Sequence, residues 1–177
     1  IAPAEKNNLD LVTWAIRAEQ AGWGYVWGSQ GELLTESRFQ SLAASYPKEV
    51  GGYEDWIRTH WLGKRTADCS GLIRGYWWLD AETQEIKYGS NGIPAMGANA
   101  MYQAASEKGA TSTMPEIPGL GVWHKGHIGI YIGNGEVVEA MSTRKGVVRT
   151  QLASGHWTAW LKIPYINYIE STEEEAS

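Results

Sequence analysis

The sequence predicts an α+β fold with an antiparallel sheet, and two features of its hydrophobic pattern carry that reading. Apolar residues recur at helical spacing in the first half of the chain. From residue 119 the period changes to two, and Gly-rich turns divide the apolar runs into hairpin-sized pieces. Helices first and hairpin-linked strands afterwards is the α+β order, not the alternating order of a parallel sheet. A chain of 177 residues fits one domain and buries about two-thirds of its unfolded surface, so folding needs neither a metal nor a disulfide.

Residues 5–21 read as the first helix. Leu9, Val12, Ala15 and Ile16 fall near one face, and Gly22 is placed to end it. Residues 22–28 are aromatic and glycine-rich, which suits a tight turn or a short extended piece. Residues 31–65 mix helical pattern with Pro47 and Gly51-Gly52 and read as an insertion of short helices. A helix is expected over 69–79, where Cys69, Leu72, Ile73, Tyr76 and Trp77 share a face and Asp68 can cap the first turn. Residues 80–98 are turn-rich, and 99–108 form a short helix. Strands are expected near 120–124, 127–132, 136–141, 146–150 and 159–168. Residues 1–169 are then one domain, and 170–177 an acidic disordered tail.

The net charge is −5, and four glutamates of the tail, Glu170, Glu173, Glu174 and Glu175, account for most of it. The rest is nearly neutral and carries no basic stripe, so nucleic acid is not an expected partner. No apolar run approaches the roughly 18 residues of a membrane span. One cysteine excludes an intrachain disulfide. Ten Trp and nine Tyr against one Phe suit either a core or a cleft for sugar or peptide.

Three residues suggest chemistry. Cys69 opens a helix, where the positive end of the helix dipole favours the thiolate, the nucleophilic form. His127 begins the strand run Ile128-Gly129-Ile130-Tyr131-Ile132, a good mount for a general base at a sheet rim. Glu139 lies on the next strand, and hairpin register decides its face. A two-residue loop would pair it with Ile130 on the apolar face and bury an unpaired charge. A three-residue loop, with Gly135 left-handed in a bulge, places it opposite Gly129 and diagonal to His127. Its carboxylate can then accept Nδ1–H of the imidazole and leave Nε2 toward the sulfur. His124 and His127 lack the partner spacing of a zinc site, so no metal is expected. No phosphate loop or serine elbow is present.

Three segments together resemble the NlpC family of papain-like cell-wall cysteine peptidases. They are Gly24-Tyr25-Val26-Trp27-Gly28, Asp68-Cys69-Ser70-Gly71-Leu72, and the run from Gly126 to Gly135 followed by Val138-Glu139-Ala140. The resemblance implies a papain-like helix carrying the nucleophile Cys69, packed on a sheet that carries His127. It implies a thiol endopeptidase that cuts peptide stems of peptidoglycan, often after the D-glutamyl residue, without a cofactor. It also implies that Tyr25 lies beside the thiol near the oxyanion, and that Asp68 and Ser70 line the subsite for the amino end of the stem, where a carboxylate can pair with an ammonium. The family usually has His, Asn or Gln where this chain has Glu139. A secreted or wall-associated monomer is expected. The residues leave open a non-catalytic wall-binding module of the same fold, or an amidase or transpeptidase using another acyl donor.

Overall fold

The helix that begins at Cys69 is set by its first turn. Asp68 has extended backbone, and its side chain accepts a hydrogen bond from Gly71 N at 2.7 Å, closing one of the orphan donors of the N-terminus. In the computed structural model, which describes residues 6–80 and 82–170, this helix is α4. Before it come α1 (Asn8–Gln20), β1 (Gln30–Leu33), α2 (Glu36–Ser45), α3 (Glu54–His60) and β2 (Arg65–Ala67). Helix α4 itself covers Cys69–Trp77. It is followed by α5 (Ala98–Ala104) and by β3 (Lys108–Ala110), β4 (Gly121–His124), β5 (His127–Gly133), β6 (Glu136–Ser142), β7 (Gly146–Gln151) and β8 (Ala159–Leu161).

The six later strands form one antiparallel sheet in the order β3-β8-β4-β5-β6-β7. Its two faces are covered differently. Ile128, Ile130, Val138 and Ala140 meet the buried side chains of α1 and α4, including Leu11, Ala15, Leu72, Ile73 and Tyr76. On the opposite face Leu120, Val122, Tyr131, Val137 and Trp157 form a smaller cluster. Strand alternation is what assigns each residue to its core. The α+β class with an antiparallel sheet is therefore the observed one.

The insertion expected at 31–65 does consist mainly of short helices, with its own cluster of Val26, Leu34, Phe39, Leu42, Val50 and Ile57. A two-stranded sheet that periodicity did not reveal zips its ends together, with Gln30 opposite Ala67 and Leu33 opposite Arg65. Strands of three or four residues are too short to show a period. This neck delivers the chain from Ala67 directly into Asp68 and α4. The start of β1 lies so close to α4 that a Cβ on Gly71 would sit 2.0 Å from Ser29 O, and one on Gly75 2.2 Å from Gln30 O.

Several expected boundaries move. On α1 the buried face runs through Asn8, Leu11, Ala15 and Ala18, with Leu9, Val12 and Ile16 flanking it. The expected helix over 99–108 ends at Ala104, and Lys108–Ala110 instead pairs with β8. The expected strand over 159–168 stops at Leu161, because Pro164 has no N–H for the ladder and Tyr165 is left-handed with φ 64°. Residues 171–177 of the expected tail lie outside the described residues.

Gly71→Ala should destabilise the fold by about 1–3 kcal/mol or more, since the methyl group would meet backbone rather than a movable side chain. Chemical denaturation of the two proteins measures this, and an unchanged midpoint would contradict the close approach.

Candidate active site

Cys69 is half-buried at the N-terminus of α4. His127 arrives at it from the start of β5. The turn before it is tight: His124 pairs with His127, and Gly126 adopts φ 87°, a value costly for any side chain. Asn99 Oδ1 accepts Gly126 N at 2.8 Å and ties that turn to α5.

Register places Glu139 as expected, by a different device. Ile130 pairs with Val138, so Glu139 falls opposite Gly129, whose missing side chain leaves it room. The turn is a two-residue loop rather than the expected three-residue one. Asn134 and Gly135 both have positive φ, 53° and 75°, the pattern of a type I′ turn. The extra residue sits instead in the strand, as an irregularity between Tyr131 and Gly133 that shifts the pairing by one. The bulge resolves a conflict: Asn-Gly strongly favours the tight turn, while burying Glu139 among isoleucines would be costly.

Glu139 is only 4% exposed. Its Oε1 lies 2.7 Å from His127 Nε2, and its Oε2 accepts the Thr150 hydroxyl at 2.6 Å. The ring orientation therefore corrects the expectation. Nε2 meets the carboxylate, and Nδ1 is the nitrogen left for sulfur. Glu139 is diagonal to His127, further along the strand, so the distal ring nitrogen reaches it first. The Trp157 ring stacks on the imidazole at 5.3 Å and 13°, limiting its rotation.

The electrostatics follow from this geometry. Burial by itself would lower the pKa of His127, but hydrogen bonding and charge from Cys69 and Glu139 outweigh it and raise the value to about 9. Burial pushes Glu139 up, yet its bonds to His127 and Thr150 hold it below the ordinary carboxylate range. The imidazolium is thus the favoured form at neutral pH.

Tyr25 stands in the same cavity as Cys69, His127 and Glu139. Gly24 N bonds Arg65 O, and Ala67 N bonds Gly24 O, so the segment bearing Tyr25 is laid beside the strand that enters Cys69. Burial, and then the nearby Cys69 and Asp68, push its phenol well above the usual tyrosine range, so it remains a hydroxyl donor. Asp68 and Ser70, the sequence neighbours of Cys69, line a second cavity of about 450 Å³, bordered by Arg38 and Tyr46 of α2 and its flank. The insertion therefore walls this cleft.

Asp68 is not the open carboxylate that the motif suggested. Its Oδ1 accepts Gly71 N and, at 3.2 Å, Arg74 Nη2, while its Oδ2 accepts Gly28 N at 2.8 Å. Arg74 is itself buried and also donates to Ser70 Oγ and Met96 O. A buried guanidinium requires a counter-charge, and Asp68 is the one within reach. Sequence reading missed Arg74, Thr150 and Trp157. Only Thr150 left a signal: the period of two puts it on a definite face of β7, but not in register with Glu139. Among the described residues no cluster of His, Cys, Asp and Glu could hold a metal ion, and no helix is long and apolar enough to cross a membrane.

Glu139→Gln should lower the pH at which His127 loses its proton, because removing the anion disfavours the charged ring. Iodoacetamide alkylation of Cys69 should then slow at neutral pH. Rate–pH profiles of both proteins check this, and superimposable profiles would contradict the role of the carboxylate.

Comparison with known proteins places this geometry in context. No curated protein sequence matches the chain. Among solved structures, NlpC2 from Trichomonas vaginalis superposes with a TM-score of 0.51 at 16% identity, over 90% of this chain and 48% of its own. NlpC1 from the same organism gives 0.51 at 14% identity, over 92% of this chain and 47% of its own. This chain spans about half the length of those two proteins. The resuscitation-promoting-factor-interacting protein RipA gives 0.51 at 21% identity, over 95% of this chain and 73% of its own. These likenesses are likenesses of fold. A family model described as NlpC/P60 matches residues 22–164, most of the chain and all of the segments that build the site. The chain belongs to the NlpC/P60 family.

Proposed function

We propose that this chain is a cysteine peptidase that hydrolyses amide bonds in the peptide stems of peptidoglycan, after the D-glutamyl residue. The observation that carries the reading is His127, held by a buried carboxylate next to the single thiol in a cavity. Family membership supports the substrate class. A wall substrate places the enzyme outside the cytoplasmic membrane, secreted or attached to the wall.

In the proposed cycle Cys69 Sγ, as thiolate, attacks the scissile carbonyl carbon. The backbone N–H at the start of α4 and the Tyr25 hydroxyl stabilise the oxyanion. Asp68 takes the third N–H of the helix, that of Gly71, and leaves the Cys69 amide to point at the oxygen. His127 gives the Nδ1 proton to the leaving amine nitrogen as the C–N bond breaks and a thioester remains. The neutral ring then takes a proton from water, whose oxygen attacks the thioester carbon. The acid product leaves, and the thiolate and imidazolium are restored. Glu139 keeps its proton partner at Nε2 throughout and does not itself touch substrate; it positions the ring. Asp68 and Ser70 border the acyl side of the cleft and bind the stem there.

Purified peptidoglycan digested with the protein should yield new amino and carboxyl termini in its stems, identified by mass spectrometry. Cys69→Ala should abolish their appearance while leaving the circular dichroism unchanged. A chelator should have no effect on the wild type, and alkylation should inactivate it. Full activity in the alanine variant would refute the cysteine-peptidase reading.

A further inference from the structure

The insertion reaches toward the active site through one side chain. Trp61 follows α3, and its indole packs on the backbone of Gly24, the residue before Tyr25. A Cβ on Gly24 would collide with the ring at Cγ, Cδ2 and Cε3, so only a bare backbone admits this contact. The same indole also meets the turn between β6 and β7. Its Nε1 donates to Thr143 O at 2.6 Å, and a Cβ on Gly146 would sit 3.0 Å from its Cη2. Gly24 is held by β2 as well: its N donates to Arg65 O at 2.9 Å, and its O accepts from Ala67 N at 3.1 Å. The indole is thus a spacer between the segment that bears Tyr25 and the hairpin that bears Glu139. Tyr25 depends on such support. It is 8% exposed and lines the cavity that holds Cys69. Among the described residues none fixes its hydroxyl by a hydrogen bond, so the hydroxyl stands where backbone and packing put it. A donor to an oxyanion works only when it is aimed beforehand, and a misplacement of about 1 Å can cost about a hundredfold in rate.

From this arrangement we infer that Trp61 is a positioning residue for the reaction: acting through Gly24, it holds the Tyr25 hydroxyl in place for the oxyanion. The insertion is then part of the catalytic apparatus as well as a wall of the cleft. The inference rests on the peptidase reading above and adds a residue that reading does not use. Trp61 touches no substrate. It supports an interaction made only in the transition state, so its effect belongs in kcat.

The test separates oxyanion chemistry from thiol reactivity. Cleavage of a stem peptide passes through an oxyanion. Iodoacetamide loses iodide to Cys69 Sγ by direct displacement at its CH2 carbon and forms none. Trp61→Ala should lower kcat for stem cleavage by about tenfold or more with KM little changed. Cys69 should still be alkylated at the wild-type rate and with the wild-type pH dependence. Trp61→Phe, which keeps a ring against Gly24, should recover most of the lost kcat. In a Tyr25→Phe background, itself slowed by roughly a hundredfold, Trp61→Ala should add little further loss, because both changes remove one interaction. A wild-type kcat in Trp61→Ala, or full additivity with Tyr25→Phe, would overturn the inference and leave the peptidase reading standing. Equal slowing of cleavage and alkylation would also overturn it, since that is the mark of general loosening. A wild-type kcat in Tyr25→Phe would overturn it together with the oxyanion role of Tyr25. No stem cleavage by the wild type, with Cys69 still open to alkylation, would overturn the inference and the peptidase reading alike. Should Trp61→Ala fold poorly, Gly24→Ala disturbs the same contact from the backbone side and should give the same split between cleavage and alkylation. A Gly24→Ala protein with wild-type kcat would overturn the inference.

Discussion

A buried carboxylate constrains this site more than any other group. Glu139 sits inside the sheet, and a charge there is tolerable only with partners on both oxygens. His127 and Thr150 supply them. Everything that aligns these three residues is therefore under the same requirement: the bulge in β5, the bare backbone at Gly129, and the pairing of β6 with β7, which sets Thr150 opposite Val137. The ionised form of Glu139 in turn fixes the tautomer and charge of His127. The imidazole is presented to Cys69 as a proton donor before any substrate arrives.

The thiol is positioned by a separate part of the chain, which makes the site a junction of two independently built halves. The neck of β1 and β2 and the helix glycines bring Asp68 and Cys69 to the sheet. The insertion above that neck is anchored elsewhere too, because Trp61 Nε1 donates to Thr143 O in the turn between β6 and β7. Its own core lets it act as a wall of the cleft without disturbing the helix beneath. Arg74 ties the start of α4 to the segment before α5 by joining Asp68, Ser70 and Met96 O.

Much of this was legible in the sequence where local physics dominates. The period of two from residue 119, the capping residue before Cys69 and the cost of burying Glu139 each pointed to the correct element, helix start and face. The illegible parts depend on partners distant in sequence. Strands of three or four residues are too short to show a period, and β1, β2 and β3 left no trace. The choice between ring nitrogens depends on how far along the strand the carboxylate lies, which face assignment alone does not determine. The pairing of Asp68 with Arg74 reverses the reading of an acidic motif, because a carboxylate beside a buried guanidinium no longer presents an open negative charge.

Glu139 and Cys69 together hold His127 as an imidazolium at neutral pH. The most direct measurement is an NMR titration of the His127 ring nitrogens in the resting enzyme. A single transition near pH 9 is expected, with a strongly hydrogen-bonded proton on Nε2 on both sides of it. A transition near the ordinary histidine value of about 6.5, or an Nε2 without its proton, would contradict it.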